Sequence, residues 1–291
     1  MIPKALDADD AALPWLTIRR GHAPLLVSLP HTGTEIPTGF EHGLISTWLA
    51  RKDTDWWIEW LYAFAADLDA TIVRTAISRT VIDVNRDPSG VSLYPGQATT
   101  ELCPTTTFDG ESLYQPGSEP TADAVAERRM RYFDPYHAAL CAEIERLRRL
   151  APHVVLYDCH SIRSVIPRLF DGVLPHLNIG TNDGASCARI LSDAVVAACA
   201  ASDFSVVVNG RFKGGFITRS LGRPDQGVHA IQMELACRSY MPEPIGPVAE
   251  REWPPAYDPA AAEPMRTTLE TVLRACLASA RRPMDPAKET S

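Results

Sequence analysis

Two histidines, His31 and His160, follow apolar runs that are typical of buried strands. His31 comes directly after LLVSLP, and His160 comes two residues after the end of VVLYD. Strands fix the positions of the residues at their ends, so two neutral imidazoles placed there can hold a zinc ion that keeps an open position for water. We interpret the two histidines as candidate metal ligands. The alternative that they are unrelated loop histidines stays open.

A carboxylate would complete this ligand set, and the sequence offers two. Glu35 lies four residues after His31 and just before Ile36-Pro37, which predicts extended or turn backbone. Asp55 lies in the first turn of a predicted helix that begins at an N-cap-type Asp53, where the helix dipole favours negative charge. We prefer Asp55. Glu35 stays an alternative, either as a ligand or as a residue that holds one.

Further polar side chains follow other predicted strands. Asn85 and Arg86 come after VIDV and together offer amide and guanidinium donors to one substrate carboxylate. Arg79 lies upstream and is a candidate catalytic residue that contacts the substrate and helps to hold the oxyanion of a tetrahedral intermediate. Glu234, at the end of VHAIQME, is a candidate general base beside a metal site. A structural salt bridge for Arg86 and a solvated strand-end position for Glu234 are the plain alternatives.

Three more arginines are candidates for a second substrate carboxylate. Arg163 and Arg168 follow shortly after His160, and Arg211 lies in the glycine-containing stretch NGRFKGGFITR. Basic side chains beside closely approaching backbone suit an anionic ligand. The stretch has neither the GxGxxG order nor the GK[ST] of phosphate-binding loops, so the sequence does not support nucleotide binding.

The elements that must position these residues alternate between strands and helices. This alternation predicts an α/β fold, a three-layer sandwich with a mixed, largely parallel central sheet, in which ligands bind beyond the carboxyl ends of the strands. Strands are predicted at 25–30, 71–75, 81–84, 154–158, 177–180, 205–209 and 228–234. Helices are predicted over 53–68, 121–150 (kinked at Pro135), 184–201 and 259–280.

No linker divides the chain, so we expect one catalytic domain over 1–282 and a disordered tail over 283–291. The segment 87–120 is rich in Pro, Gly and Thr and is too long for a simple connection, which makes it a candidate lid or binding loop. The formal net charge of −8 argues against a nucleic-acid or membrane-surface binder and leaves a small anionic molecule as the expected partner. The oligomeric state is not indicated.

The seven cysteines are scattered and form no CxxC pair, which is typical of a reduced cytoplasmic protein. No apolar run approaches 18 residues, so we expect no transmembrane helix. The N-terminus lacks the apolar core of a signal peptide. These features predict a cytoplasmic enzyme.

Taken in order, eight motifs resemble the N-formylglutamate amidohydrolase family over roughly residues 13–275. They are SLPHTGTEIP, DTDWWIEWLYAFA, SRTVIDVNR, LYPGQATTELCPTTTFDG, DCHSIRS, LNIGTNDGASC, NGRFKGGFITR and QMELACRSYM. The resemblance implies hydrolysis of N-formyl-L-glutamate to formate and L-glutamate, at the end of one branch of histidine degradation. Two rival functions are a related metal-dependent amidohydrolase that takes another N-acyl amino acid or a peptide, and a non-catalytic protein that binds an anionic ligand.

The family is also distantly similar to zinc carboxypeptidases and aspartoacylases, and this implies a phosphorylase/carboxypeptidase-like fold and a divalent metal ion, Zn²⁺ first. By motif, His31 and His160 become metal ligands, Asn85 and Arg86 bind a substrate carboxylate, and Glu234 is the base. The carboxypeptidase pattern has its acid three residues after the histidine, whereas Glu35 is four residues after His31. This departure leaves the third ligand open between Glu35 and Asp55.

Overall fold

The computed structural model describes residues 13–93, 96, 98–244 and 246–282. The tail 283–291 lies outside the described residues, as does part of the segment 87–120, so the expectations of a disordered tail and of a lid stay predictions. The single domain and the cytoplasmic location also stay predictions. Within the described ranges, no helix combines the length and the apolar character needed to cross a bilayer.

Among the described residues, seven strands form one mixed sheet. They are β1 (Leu16–Arg19), β2 (Leu25–Leu29), β3 (Thr71–Thr75), β4 (Val154–Ile162), β5 (Leu177–Gly180), β6 (Val206–Val208) and β7 (Val228–Ala236). Their order is β1-β3-β2-β4-β7-β5-β6. The four central strands are parallel, while β1 and β5 pair antiparallel with β3 and β7. The predicted mixed, largely parallel sheet is confirmed.

Helices cover both faces of this sheet. They are α1 (Ile58–Leu61), α2 (Ala122–Arg128), α3 (Asp134–Arg148), α4 (Arg189–Ala200), α5 (Phe216–Leu221) and α6 (Pro259–Ala280). Side chains of α1, α4 and α6 pack in one core, and those of α3 and α5 pack in the other. Successive strand residues point to opposite faces, so Leu25 and Val27 enter the first core and Leu26 the second. Burial on both faces explains why the central strands are continuously apolar.

The predicted helix over 53–68 is wrong for its first half. Trp57 has a left-handed backbone with φ of 64°, which a helix cannot include, and helical structure begins only at Ile58. A short α1 is followed by a 3-10 turn over Ala63–Ala66. Asp55 therefore precedes the helix and does not lie in its first turn.

The predicted strand at 81–84 is also wrong, because this run is buried without pairing in the sheet. The backbone N–H of Val81 bonds back to Ser78 in a turn, and that of Asp83 donates to Leu102. The helix predicted over 121–150 consists of α2 and α3 joined by a π-helical stretch, Arg129–Phe133. Strand β1 was not predicted. Strands β4 and β7 run past their predicted ends, so His160 and Glu234 lie inside strands.

Candidate active site

His31, His160 and Asp55 converge on one buried point at the carboxyl end of the central strands. His31 lies two residues beyond β2, and His160 is near the end of the neighbouring β4. Asp55 is held beside them because its backbone N–H donates to the His31 carbonyl at 3.0 Å. One ligand atom from each residue lies within 4.8 Å of the other two. Two imidazoles and a carboxylate are a ligand set that suits a divalent metal ion.

The two Nδ1 atoms face each other. They lie 3.1 Å apart, and Asp55 Oδ2 lies 3.2 Å from Nδ1 of His160 and 3.7 Å from Nδ1 of His31. Burial acts to raise the pKa of Asp55, but the hydrogen bonds and charges of His160 and His31 outweigh it and bring that pKa below its usual value. The carboxylate is thus charged, as a metal ligand must be.

The opposite nitrogens of the two rings each contact a fully buried aspartate. Nε2 of His31 is 2.7 Å from Asp83 Oδ1, and Nε2 of His160 is 2.9 Å from Asp158 Oδ2. An anionic acceptor behind each ring favours the tautomer with its proton on Nε2, which directs the lone pair of Nδ1 to the shared site; at His160, Nε2 also lies 2.9 Å from Nδ2 of Asn85. Such carboxylate–histidine pairs typically orient metal-binding imidazoles. The sequence did not predict that Asp83 and Asp158 pair with the histidines, although each lies two residues from a predicted site residue.

Asn85 and Arg86 hydrogen-bond to different parts of the protein. Asn85 Nδ2 donates to Asp158 Oδ2 at 3.2 Å, and Asn85 Oδ1 accepts the backbone N–H of Ile217 at 2.8 Å. The guanidinium of Arg86 donates to the carbonyl and hydroxyl oxygens of Thr100. Both residues line the pocket, and Nδ2 of Asn85 also lies 2.9 Å from Nε2 of His160, so this amide contacts both members of the Asp158–His160 pair.

A glycine makes room for this amide. A Cβ on Gly215 would lie 2.4 Å from Asn85 Nδ2, closer than real atoms approach. The backbone N–H of the same glycine donates to Gln232 Oε1 at 2.7 Å. Gly215 lies in the glycine-containing stretch that was predicted to bind an anion. In the structure, this glycine contacts two polar side chains of the site, Asn85 and Gln232.

Arg79 lies buried beside the histidine–aspartate group. Its Nη2 donates to Asp83 Oδ2 at 2.8 Å, and its Nη1 is 3.5 Å from Asp55 Oδ1. Burial disfavours its charge, but Asp83 and Asp55 more than compensate and raise the pKa of Arg79. A permanent positive charge thus borders the pocket next to the candidate metal ligands.

Glu234 lies on β7 directly across from His160 on β4. Burial raises the pKa of Glu234 to about 8; the charge of His160 opposes this rise and that of Asp55 reinforces it. Gln232 Nε2 donates to Glu234 Oε2 at 3.2 Å, so Gln232 links the carboxyl group to Gly215. Gln232 was not predicted as a site residue, although its spacing of two from Glu234 put both on one face of the strand.

These side chains border a pocket that opens to solvent. Its charged lining includes Arg79, Arg86, Arg211 and Glu234, and its apolar lining includes Phe108, Ile162, Leu169 and Phe212. The mixture of cationic groups and apolar wall suits a small anionic molecule with an aliphatic part.

Of the three further arginines, the structure brings only Arg211 into this pocket, where it donates to two backbone carbonyl groups. Arg163 is buried elsewhere and pairs with Asp109 at 2.6 Å. Arg168 is exposed and donates to the Thr107 carbonyl at 3.1 Å. Both guanidinium groups thus bond to a neighbouring loop outside this pocket, and a role for Arg163 or Arg168 in binding substrate stays a prediction.

Glu35 is likewise placed apart from the histidines. Its backbone forms a bridge with Ile77, its N–H donates to the Ala76 carbonyl, and its side chain is exposed. Of the two alternatives for the third ligand, only Asp55 lies with His31 and His160. Asp53, predicted as a helix N-cap, accepts the backbone N–H of Phe108 instead.

Sequence comparison decides the family. Residues 23–241 match the family model described as N-formylglutamate amidohydrolase. An N-formylglutamate deformylase from Pseudomonas aeruginosa is 44% identical over 90% of this chain and 96% of its own length. The chain belongs to the N-formylglutamate amidohydrolase family. A second family member, an N-formylglutamate deformylase from Pseudomonas putida, is 43% identical over the same shares of the two chains. The resemblance seen in the motifs is confirmed.

Solved structures agree with the fold. An N-formylglutamate amidohydrolase from Ralstonia eutropha aligns with a TM-score of 0.74 at 22% identity, over 93% of this chain and 99% of that one. A gene product of Agrobacterium tumefaciens aligns with a TM-score of 0.68 at 18% identity, over 91% and 94% of the two chains. At these identities the likeness establishes the shared α/β fold.

Proposed function

We propose that this protein hydrolyses N-formyl-L-glutamate to formate and L-glutamate. The observation that carries the proposal is the convergence of His31, His160 and Asp55 beside Glu234 in a pocket lined with arginines. The naming of its 44%-identical relative as an N-formylglutamate deformylase supports the substrate. Within the family, this combination favours amide hydrolysis over passive ligand binding.

His31, Asp55 and His160 would hold the divalent metal ion, and zinc is the first choice for two imidazoles and one carboxylate. The donor set fits such an ion, since two Nδ1 lone pairs and a charged oxygen meet at one buried point. A bound divalent ion would polarise the formyl carbonyl and lower the pKa of a water molecule. Asp83 and Asp158 would keep both rings in the ligating tautomer.

Glu234 is proposed as the general base. It would accept a proton from the attacking water and then deliver it to the departing amine of glutamate. The burial that raises the pKa of Glu234 suits both steps, because a carboxyl group with a pKa near the working pH can take up and release a proton. Gln232 would hold the carboxyl group in place through the bond to Oε2.

The arginines would bind and stabilise the negatively charged groups of the substrate. Arg79 lies beside Asp55 and is suited to stabilise the oxyanion that develops on the formyl oxygen. Arg86 and Arg211 line the same pocket and would each bind one carboxylate of the substrate. Asn85, predicted as a substrate ligand, would instead act by holding Asp158 behind His160.

Metal analysis coupled to formate detection tests the proposal. The purified full-length protein is expected to bind about one zinc or comparable divalent ion per chain and to release formate from N-formyl-L-glutamate. Chelation should abolish the release, and adding the metal back should restore it. A panel of other N-acyl amino acids would identify a related amidohydrolase. A chain that hydrolyses none of these with any supplied metal would contradict the proposal and favour a binding protein.

A further inference from the structure

Phe108 belongs to the apolar wall of the pocket and covers Arg79. Its ring centroid is 4.8 Å from the Arg79 guanidinium carbon, and the side chain is only 6% exposed. Arg79 in turn contacts Asp55, one of the candidate metal ligands. The ring therefore borders the end of the pocket next to the candidate metal site.

A cluster of charged side chains that take no part in the proposed reaction holds the backbone of Phe108. Asp53 Oδ2 accepts the Phe108 N–H at 2.7 Å. The next residue, Asp109, pairs with Lys52 and with Arg163, each at 2.6 Å. Lys52 is buried, whereas lysine side chains are rarely buried unless they are paired with an acidic group.

The loop around Phe108 is also held by hydrogen bonds between its own residues. The N–H of Thr107 donates to the Glu111 carbonyl and its hydroxyl donates to a Glu111 carboxylate oxygen, both at 2.9 Å. Gly110 has a positive φ of 93° and donates back to the Thr107 carbonyl. The ring packs in an apolar cluster with Ile162. Hydrogen bonds and ion pairs thus hold the backbone around Phe108, and apolar packing holds its ring.

We propose that Phe108 determines acyl specificity by limiting the group attached to the reacting carbonyl to a hydrogen atom. The inference rests on the proposed function. With the carbonyl oxygen directed at Arg79 and the metal site, the substituent on the carbonyl carbon lies against the ring that covers Arg79. A formyl hydrogen fits there, whereas the methyl group of an acetyl substrate must push against a wall that cannot easily move.

The test compares N-formyl-L-glutamate with N-acetyl-L-glutamate for the zinc-loaded wild type and Phe108→Ala. Truncation of the ring is expected to raise the ratio of acetyl to formyl kcat/KM by about 10-fold or more, the usual range for discrimination of one carbon group. Phe108→Leu, which keeps the loop apolar, should raise the ratio less. The matched control is Phe212→Ala, which removes the same ring from the Arg211 side of the pocket and should leave the ratio at its wild-type value.

Lys52→Met tests the charge cluster as a positioning device. It keeps most of the length of the side chain but removes the pairing with Asp109, and it should also raise the ratio of acetyl to formyl kcat/KM. An unchanged ratio in Phe108→Ala and Phe108→Leu, or an equal rise in Phe212→Ala, would overturn the role of Phe108 while wild-type formate release still stands. Wild-type protein that releases no formate would instead reject the proposed function, and this inference with it.

Discussion

The Nδ1 atoms of His31 and His160 lie 3.1 Å apart in a buried site, and the far side of each ring is held by an aspartate. Two acceptor atoms at this distance repel each other unless a proton or a cation lies between them. Since Asp55 Oδ2 lies 3.2 Å from one of them, the three atoms form a natural cation site.

Asp55→Asn is expected to weaken zinc binding far more than Glu35→Gln. Asp55 lies with the two histidines, whereas Glu35 is exposed and apart from them. Loss of a direct ligand should lower zinc affinity by more than the roughly 10–100-fold typical of an outer residue. Competition with a chromophoric chelator measures both variants. Equal weakening, or weakening confined to Glu35→Gln, would reverse the choice of ligand.

Asp158→Asn should lower zinc affinity or turnover by roughly 10–100-fold without unfolding the chain. The amide can donate to His160 Nε2 and so favour the tautomer with its proton on the ligating Nδ1. Asp134→Asn serves as the control, because Asp134 pairs with Arg129 on the surface. If Asp158→Asn and Asp134→Asn bind zinc and turn over equally, the aspartate has no orienting role.

Glu234→Gln should keep the fold and zinc affinity but lose about 10²–10⁴-fold in kcat, as expected when a general base is removed. The replacement is nearly isosteric and adds no charge to a buried position, so thermal stability should hold. Steady-state formate release and a thermal melt measure the two effects. Turnover near the wild-type value would exclude Glu234 as the base.

The rate should fall on the acidic side as Glu234 takes up a proton. Its pKa is raised from 4.5 to about 8 by burial, and a bound cation would bring it part of the way back. We therefore expect kcat/KM to fall with decreasing pH through a pKa between these two values. Gln232→Met removes a donor that stabilises the carboxylate form of Glu234. The acidic limb of the kcat/KM pH profile of this variant should therefore lie at higher pH than that of the wild type. A limb that stays in place or moves to lower pH would contradict the positioning role of Gln232.

Stability should also fall in acid because of His229, which is buried at the other end of the sheet. Burial, reinforced by His153 and Arg148, lowers the pKa of His229 to about 4. The unfolded chain, with a histidine pKa near 6.5, binds this proton more readily, so stability is lost as the pH falls from about 6.5 to 4. The full loss would be about 3 kcal/mol.

Denaturant unfolding of the wild type and His229→Asn across this pH range measures the effect. Asparagine can still accept the Ala188 N–H that His229 Nδ1 accepts, but it does not titrate. The variant should show a flatter pH dependence than the wild type. His22→Asn, at an exposed histidine, should follow the wild-type curve. A wild-type slope in His229→Asn would assign the acid loss to other groups.

Much of the fold was readable from local sequence patterns. Strand β2 and helix α6 match their predictions closely, because continuous apolar runs and long amphipathic stretches signal burial wherever they occur. The predicted strand at 81–84 failed because an apolar run shows that residues are buried and not that they pair in a sheet. The predicted start of a helix at Asp53 failed because a left-handed Trp57 and a bond to Phe108 override its capping preference.

The sequence by itself determined the family, the α/β class and the residue types of the site, because motifs such as DCHSIRS and SRTVIDVNR are local. It could not choose between Glu35 and Asp55, nor sort five arginines into those that face the pocket and those that hold a loop. Only the tertiary structure showed that Asp55 and not Glu35 lies with the histidines, and which arginines line the pocket, since side chains far apart in the chain meet through strand order and crossover. Asp55 and His160 are 105 residues apart in sequence and 3.2 Å apart in space.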